Sequence, residues 1–372
     1  MNTGWFPSAR EYPESRLFSL DVLRGLDMVL LTVVGPLIVT AQRCWNCFPN
    51  GFMGQFRHGW ECFTLWDIIM PLFIFMCGAA IPFALGRRLK EGQSVFWRHV
   101  LVRVAFLWFL GGLVQGKWIT LDPAQVSPYS NTLQSIAAGY LIVAAVMSLR
   151  SRALTFVVPV VLALGYTLAL AFGGDYSQFG NFAYKVDHSI LQAMLPANSI
   201  RLTKPSYYTW FLTSAMCGAM TFAGYHATQI LRSDRAKVRK AARLFAYGAG
   251  LLATGFVSEI WVPCIKPIFT LTFTAQAMGW CVIALGVLYV VNDIWMIRRG
   301  FSFVLLFGQL ALTAYFVSHF FQPVLQAGAH LFGDGLNAYL PASASGFVLK
   351  LLELVLMVIV MVYWRQLKAR RG

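Results

Sequence analysis

Residues 64–86 read TLWDIIMPLFIFMCGAAIPFALG, a stretch with one charged side chain, Asp67, followed at once by Arg87-Arg88-Leu89-Lys90. About 20 apolar residues in a helix cross the hydrocarbon core of a bilayer. A helix on the surface of a soluble domain would instead show a polar face every 3.6 residues. The stretch therefore predicts a transmembrane span. Working outward, similar runs recur at 20–42, 98–116, 131–149, 153–172, 208–230, 242–262, 269–291, 301–321 and 346–364. Across 372 residues, hydrophobic side chains make up 58% and charged ones 12%, about half the charge of a soluble domain. A soluble enzyme, a disordered chain and a collagen-like fibre are excluded. The predicted fold is all-α: a polytopic integral membrane helix bundle of about ten transmembrane helices.

The chain carries a net charge of +15. In a soluble protein that would raise nucleic acid as a partner, but here the positive-inside rule accounts for it. With the ten spans drawn, roughly twenty Lys and Arg fall on the side of the termini, Arg10 and Arg16 among them, against about seven on the other. Both termini are therefore predicted to be cytoplasmic. The polar opening MNTGWFPSAREYPESR (residues 1–16) lacks a signal-peptide core, so the first span reads as an uncleaved anchor. The run RSDRAKVRKAAR (232–243) suits either the phosphates of a nucleotide or an anchor on anionic lipid.

Most connections are short, which predicts one domain over 1–372. Four longer segments lie on the outer side: 43–63, 117–130, 173–207 and 322–345. The third is rich in aromatic and apolar residues and is expected to fold on the outer face as a lid.

Charges inside spans point to cavities, partners or reactions. Asp21, Arg24 and Asp27 fall i, i+3, i+6 on the first span, so Arg24 can bridge both carboxylates. The ladder is either a structural clasp or a polar pocket for an anionic ligand. Asp67, four residues before Pro71, reads as an inward-facing group above a kink or as a helix cap. Asn131 and Gln134, i and i+3 on the fourth span, are ligand contacts or interhelical glue. Lys350 and Glu353 read as a structural pair. Cys44 and Cys47 with His58 and Cys62 imitate metal-ligand spacing, but no zinc-ribbon pattern follows and no metal is expected. A disulfide among Cys44, Cys47, Cys62 and Cys264 is the preferred reading.

His58 stands nine residues before Asp67 in QFRHGWECFTLWD. An imidazole near a carboxylate can act as a general base or as an acyl acceptor, with Asp67 or Glu61 orienting the ring. Four stretches then take the reading further: RLFSLDVLRGLDMVLL (16–31), HGWECFTLWDIIMPLFIF (58–75), NTLQSIAAGYLIVA (131–144), and GNFAYKVDHSIL (180–191) followed by YTWFLTSAM (208–216). In order and spacing they resemble the transmembrane acyltransferases related to heparan-α-glucosaminide N-acetyltransferase, bacterial members included. Trp60 follows His58 by two residues where the family commonly has three, and Ser135 replaces an arginine often found after the Leu-Gln pair.

The resemblance implies an acetyl-CoA-dependent N-acetyltransferase of the bacterial inner membrane. Acetyl would pass from cytoplasmic acetyl-CoA to a glucosamine-type amine on the outer side, with His58 and Asp67 catalytic. Asp21, Arg24, Asp27, Asn131, Gln134 and Asp187 are the candidate substrate or acyl-CoA contacts, in a vestibule expected among spans one, two and four. The expected partners are an amino sugar or glycan, acetyl-CoA and membrane lipids, with a homodimer as a candidate assembly and no nucleic acid. O-acetylation of an envelope glycan and transport of a sugar or amino sugar are the alternatives.

Overall fold

The structure, a computed structural model, describes residues 7, 12, 17–61 and 63–371. Arg10, Arg16 and Cys62 lie outside the described residues. The chain is helical and divides into two compact bodies: residues 1–57, 64–66 and 287–372, and residues 58–63 and 67–286. Among the described residues, seven helices are long and apolar enough to cross a membrane, and an eighth span exists if the broken pair Ser302–Gln309 and Ala311–Phe320, bent by 79°, counts as one. Two others of the ten expected spans are helical but fall outside that set. Thr132–Ser148 is too short, and Ser214–Arg232 interleaves Thr, Tyr, His and Gln with its apolar residues.

In the first body, α1 runs Phe18–Trp45 with a π-turn at Leu30–Val34. The cause is Pro36, which lacks the N–H that would reach the carbonyl of Thr32. The ladder slips by one residue, and the N–H of Gly35 bonds the carbonyl of Leu30 instead. Asn46, at φ 48°, ends α1 in the left-handed region. A Cβ on Gly25 would lie 2.0 Å from the carbonyl oxygen of Val304, and one on Gly308 the same distance from that of Asp21. The two glycines let α1 and the helix Ser302–Gln309 meet backbone to backbone. The long helix Ala342–Arg371 closes this body.

In the second body, α2 (Ile69–Glu91) packs on α7 (Ser214–Arg232). A Cβ on Gly78 would lie 1.9 Å from the carbonyl oxygen of Thr221, and one on Gly224 1.9 Å from that of Phe75. Small residues at such contacts are how membrane helices bring their backbones together. Around the pair stand α3 (Gln93–Val114), α4 (Thr132–Ser148), α5 (Arg152–Gly173), α8 (Lys237–Ser258) and α9 (from Leu271). The segment 173–207 is ordered and carries α6 (Phe182–Met194), capped by the Asn181 side chain, which accepts from Tyr184 N–H.

The body has two unlike ends. At one, Arg150 and Arg232 donate to the carbonyls of Leu89 and Pro82, close to the basic runs 87–90 and 232–243. At the other, the loops before α2, before α4, around α6 and between α8 and α9 are tied together. Ile200 N–H bonds the Ala124 carbonyl, Thr209 N–H that of Pro267, and Trp60 Nε1 that of Tyr176.

Candidate active site

The loop-rich end gathers His58, Asp67 and Lys266. Asp67 lies in the 3-10 turn Leu65–Ile68 that leads into α2. Pro71 falls in the first turn of α2, where an N–H has no helical partner to lose, so no kink follows from it. The Asp67 side chain does not cap the helix. At 1% exposure, its Oδ1 accepts from His58 Nδ1 at 2.6 Å and from Lys266 Nζ at 3.1 Å. Lys266 Nζ also lies 3.3 Å from His58 Nδ1. Of the two carboxylates considered for orienting the ring, Asp67 holds it, while Glu61 takes part through its backbone.

That backbone contact positions the lysine. Glu61 and Ile265 form an isolated antiparallel bridge, which sets the segment 58–63 alongside the turn between α8 and α9. The turn is tight. Phe269 sits at φ 43°, the Thr270 hydroxyl accepts from Ile265 N–H at 3.0 Å, and the Tyr166 hydroxyl donates to the Ile268 carbonyl. Phe63 packs on Phe273, with ring centroids 5.6 Å apart, and Trp60 meets Tyr207 edge-on. Lys266 is thereby held at 5% exposure against the carboxylate.

A 2.6 Å contact between Nδ1 and a carboxylate oxygen requires a proton between them, so in the neutral ring Nε2 carries the lone pair. The His58 side chain is 36% exposed, so the ring remains open to a reactant. Asp67 favours the imidazolium that forms once Nε2 takes a proton, and Lys266 offsets the cost of burying that carboxylate.

The other residues named from sequence have partners of their own. Asn131 caps α4: its Oδ1 accepts from the N–H groups of Leu133 and Gln134, and its amide donates to the Gly111 carbonyl at 2.6 Å. Gln134 accepts from Ser130 N–H and donates to the Pro128 carbonyl. Asp187, on α6, accepts from the N–H groups of Trp210 and Phe211 at 2.6 and 3.1 Å and so fixes the chain entering α7. Burial nonetheless pushes its carboxyl up to about 6, against the pull of those N–H groups. In the first body, Arg24 pairs with Asp21 at 3.0 Å, and the Tyr12 hydroxyl donates to the same carboxylate. The expected bridge to Asp27 is not made, and the buried carboxylate of Asp27 has no hydrogen-bond partner among the described residues.

No disulfide joins Cys44, Cys47 and Cys264 to one another, and Cys62, the fourth cysteine of the expected set, lies outside the described residues. A largely apolar cavity of about 700 Å³ runs along α5, α7, α8 and α9, with His226 and Arg243 on its wall. Ser233 and Arg243 on its wall belong to the run 232–243 that suits a nucleotide's phosphates, whereas His58, Asp67, Asp21, Arg24, Asp27, Asn131, Gln134 and Asp187 do not line it.

An imidazole–carboxylate pair at the end of a membrane helix bundle suits a membrane-embedded acyltransferase. Residues 16–189, nearly half the chain, match the family described as heparan-alpha-glucosaminide N-acetyltransferase, catalytic, and through them the protein is related to that acyltransferase family. The matched region includes His58 and Asp67 but not Lys266. No curated protein matches the chain.

Proposed function

We propose that the protein transfers an acetyl group from cytoplasmic acetyl-CoA to the amine of a glucosamine-type sugar on the opposite side of the membrane. The observation that carries the reading is the 2.6 Å contact between His58 and Asp67, within the region that matches an N-acetyltransferase family. The basic end of the second body faces the cytoplasm, as do both termini, and the loop-rich end with His58 faces outward in a bacterial inner membrane. The segment 173–207 covers that end.

In the transfer, Nε2 of His58 takes a proton from the attacking amine as its nitrogen bonds the thioester carbonyl carbon. The C–S bond breaks, the imidazolium returns the proton to the departing thiolate, and the products are the amide and free CoA. Alternatively, Nε2 attacks the thioester carbonyl and the C–S bond breaks to release the CoA thiolate; the amine then takes the acetyl group from the ring nitrogen, and its proton goes to the thiolate, giving the same amide and free CoA. In both routes the charge of Asp67 stabilises the cationic ring, and Lys266 holds the carboxylate in place. Asn131, Gln134 and Asp187 act as positioning residues through the backbone groups they bind.

Acetyl-CoA consumption by detergent-purified protein given glucosamine tests the proposal. His58→Ala is expected to lower the rate by about 10²–10⁴; equal rates for both proteins would refute it. Labelled acetyl-CoA without an acceptor tells the routes apart, since only the second leaves label on the protein. The 79° break between Ser302–Gln309 and Ala311–Phe320 favours sugar transport as a second reading, because broken helices line substrate paths in transporters. Uptake into sealed vesicles without an acetyl donor would support it.

A further inference from the structure

The first body contains a second polar cluster that the transfer reading does not use. A cavity of about 240 Å³ lies where the π-turn of α1, Trp66, the corner between the helices Ala311–Phe320 and Gln322–Gly333, and the helix Ala342–Arg371 meet. Its polar wall is His319, Gln322, Lys350 and Glu353. Lys350 and Glu353 stand on a helix apolar enough to cross the membrane, where charged side chains mark a function by default.

Each group has a fixed role. Lys350 Nζ donates to Glu353 Oε1 at 2.7 Å, so the two charges cancel and the cavity does not select an anion. His319 Nδ1 lies 2.9 Å from the Ser318 hydroxyl and 3.0 Å from the Tyr315 carbonyl oxygen, so its hydrogen bonds stay within its own helix and Nε2 is the ring nitrogen left for a ligand. Gln322, exposed at the corner, offers both a donor and an acceptor.

The aromatic wall is held from behind. A Cβ on Gly35 would lie 2.2 Å from the six-membered ring of Trp66, so the indole rests where any side chain would stand. Phe56 packs against the same ring, 5.7 Å between centroids. A rigid indole on a wall with paired charges, an imidazole nitrogen and an amide matches a ring with C–H groups on its face and hydroxyls around its edge. The volume is that of about eight waters, the size class of a single hexose.

We infer that this cavity binds a monosaccharide, with Trp66 against the pyranose face and Glu353, His319 and Gln322 on its polar groups. The inference rests on the transfer reading only for the choice of glucosamine as the first probe. Binding of radiolabelled glucosamine to the full chain in detergent, with no acetyl donor, tests it. Saturable binding is expected, weakened by about tenfold or more in Glu353→Gln and in Trp66→Ala. Absence of saturable binding, or unchanged affinity in both variants, overturns the inference.

Should either variant fail to fold, Gln322→Cys supplies an independent test. Glucosamine should slow its alkylation, while the exposed Cys47 reacts at an unchanged rate as an internal reference. Equal rates with and without sugar overturn the inference. The two readings fail separately. A protein that binds sugar but transfers no acetyl would remove the transfer reading alone. A transferring protein whose glucosamine binding, measured without acetyl donor, is unchanged in both Glu353→Gln and Trp66→Ala would remove this one alone.

Discussion

Asp67→Asn keeps the shape of the side chain and removes its charge. Two contacts change. Lys266 Nζ lies 3.1 Å from Asp67 Oδ1, and unit charges at that separation attract by about 5 kcal/mol at an effective dielectric near 20. Losing the carboxylate takes the counter-charge from a buried cation, which costs about 3–5 kcal/mol. The second change is at His58. The new amide can donate to Nδ1, which moves the ring proton to Nε2 and removes the base. A comparable exchange in an Asp–His pair lowers turnover by about 10⁴. CoA release gives the rate, and thermal unfolding in detergent gives the stability. Asp67→Asn with Lys266→Met removes the cation too, so the double variant should recover most of the lost stability and none of the lost turnover. A single variant within about tenfold of the parent rate, or a double variant that regains activity, would refute the roles given to these residues.

Lys266→Met alone should leave Asp67 and His58 in contact while removing a cation 3.3 Å from the ring. The buried carboxylate then loses its compensating charge, so Tm in detergent and turnover should both fall; an unchanged Tm and rate would show that the lysine does not support the pair. At Asp187, burial raises the carboxyl to about 6 from an ordinary 3.8, so the native state binds its proton more tightly than the unfolded chain. That contribution, roughly 3 kcal/mol, is complete below the ordinary carboxylate value and is lost as pH rises through about 6. Tm should therefore fall between pH 4 and pH 7 in the parent and change less in Asp187→Asn, and matching profiles would count against the assignment.

The helical class of the fold was legible because a bilayer imposes length and polarity on every span, but among the described residues only seven of the ten stretches, or eight with the broken pair, became helices long and apolar enough to cross. What they could not give was local geometry. Pro36 announces a disturbance in α1, but only the structure shows it absorbed as a π-turn. Pro71 looked like a kink until its place in the first turn of α2 removed the need for one. The fourth span offered two readings, and the interhelical contact is made, since Asn131 donates to the Gly111 carbonyl of α3. Asn131 with Gln134 three residues on, ahead of an apolar run, is also a capping signature, and both side chains serve the start of α4. Asp187 was picked out by likeness to a family, and likeness cannot tell a residue that touches substrate from one that braces a loop.

Lys266 was the residue that sequence reasoning passed over, counted only among the basic groups of the outer side. Its neighbours, Cys264-Ile265-Lys266-Pro267, hold a lone cation in an otherwise apolar turn, a signal of the same kind that drew attention to Asp67. The pairing itself was not legible, because it depends on the Glu61–Ile265 bridge between segments far apart in the chain. The consequence reaches the chemistry. A carboxylate at 1% exposure stays charged only beside a compensating group, and a proton on Asp67 would end its value to His58. The matched family region, residues 16–189, supplies the imidazole and the carboxylate but not the cation that makes the carboxylate tenable. The dyad is therefore a property of the chain through the turn between α8 and α9, and a fragment ending at the limit of the match would hold both residues without the charge balance on which their pairing depends.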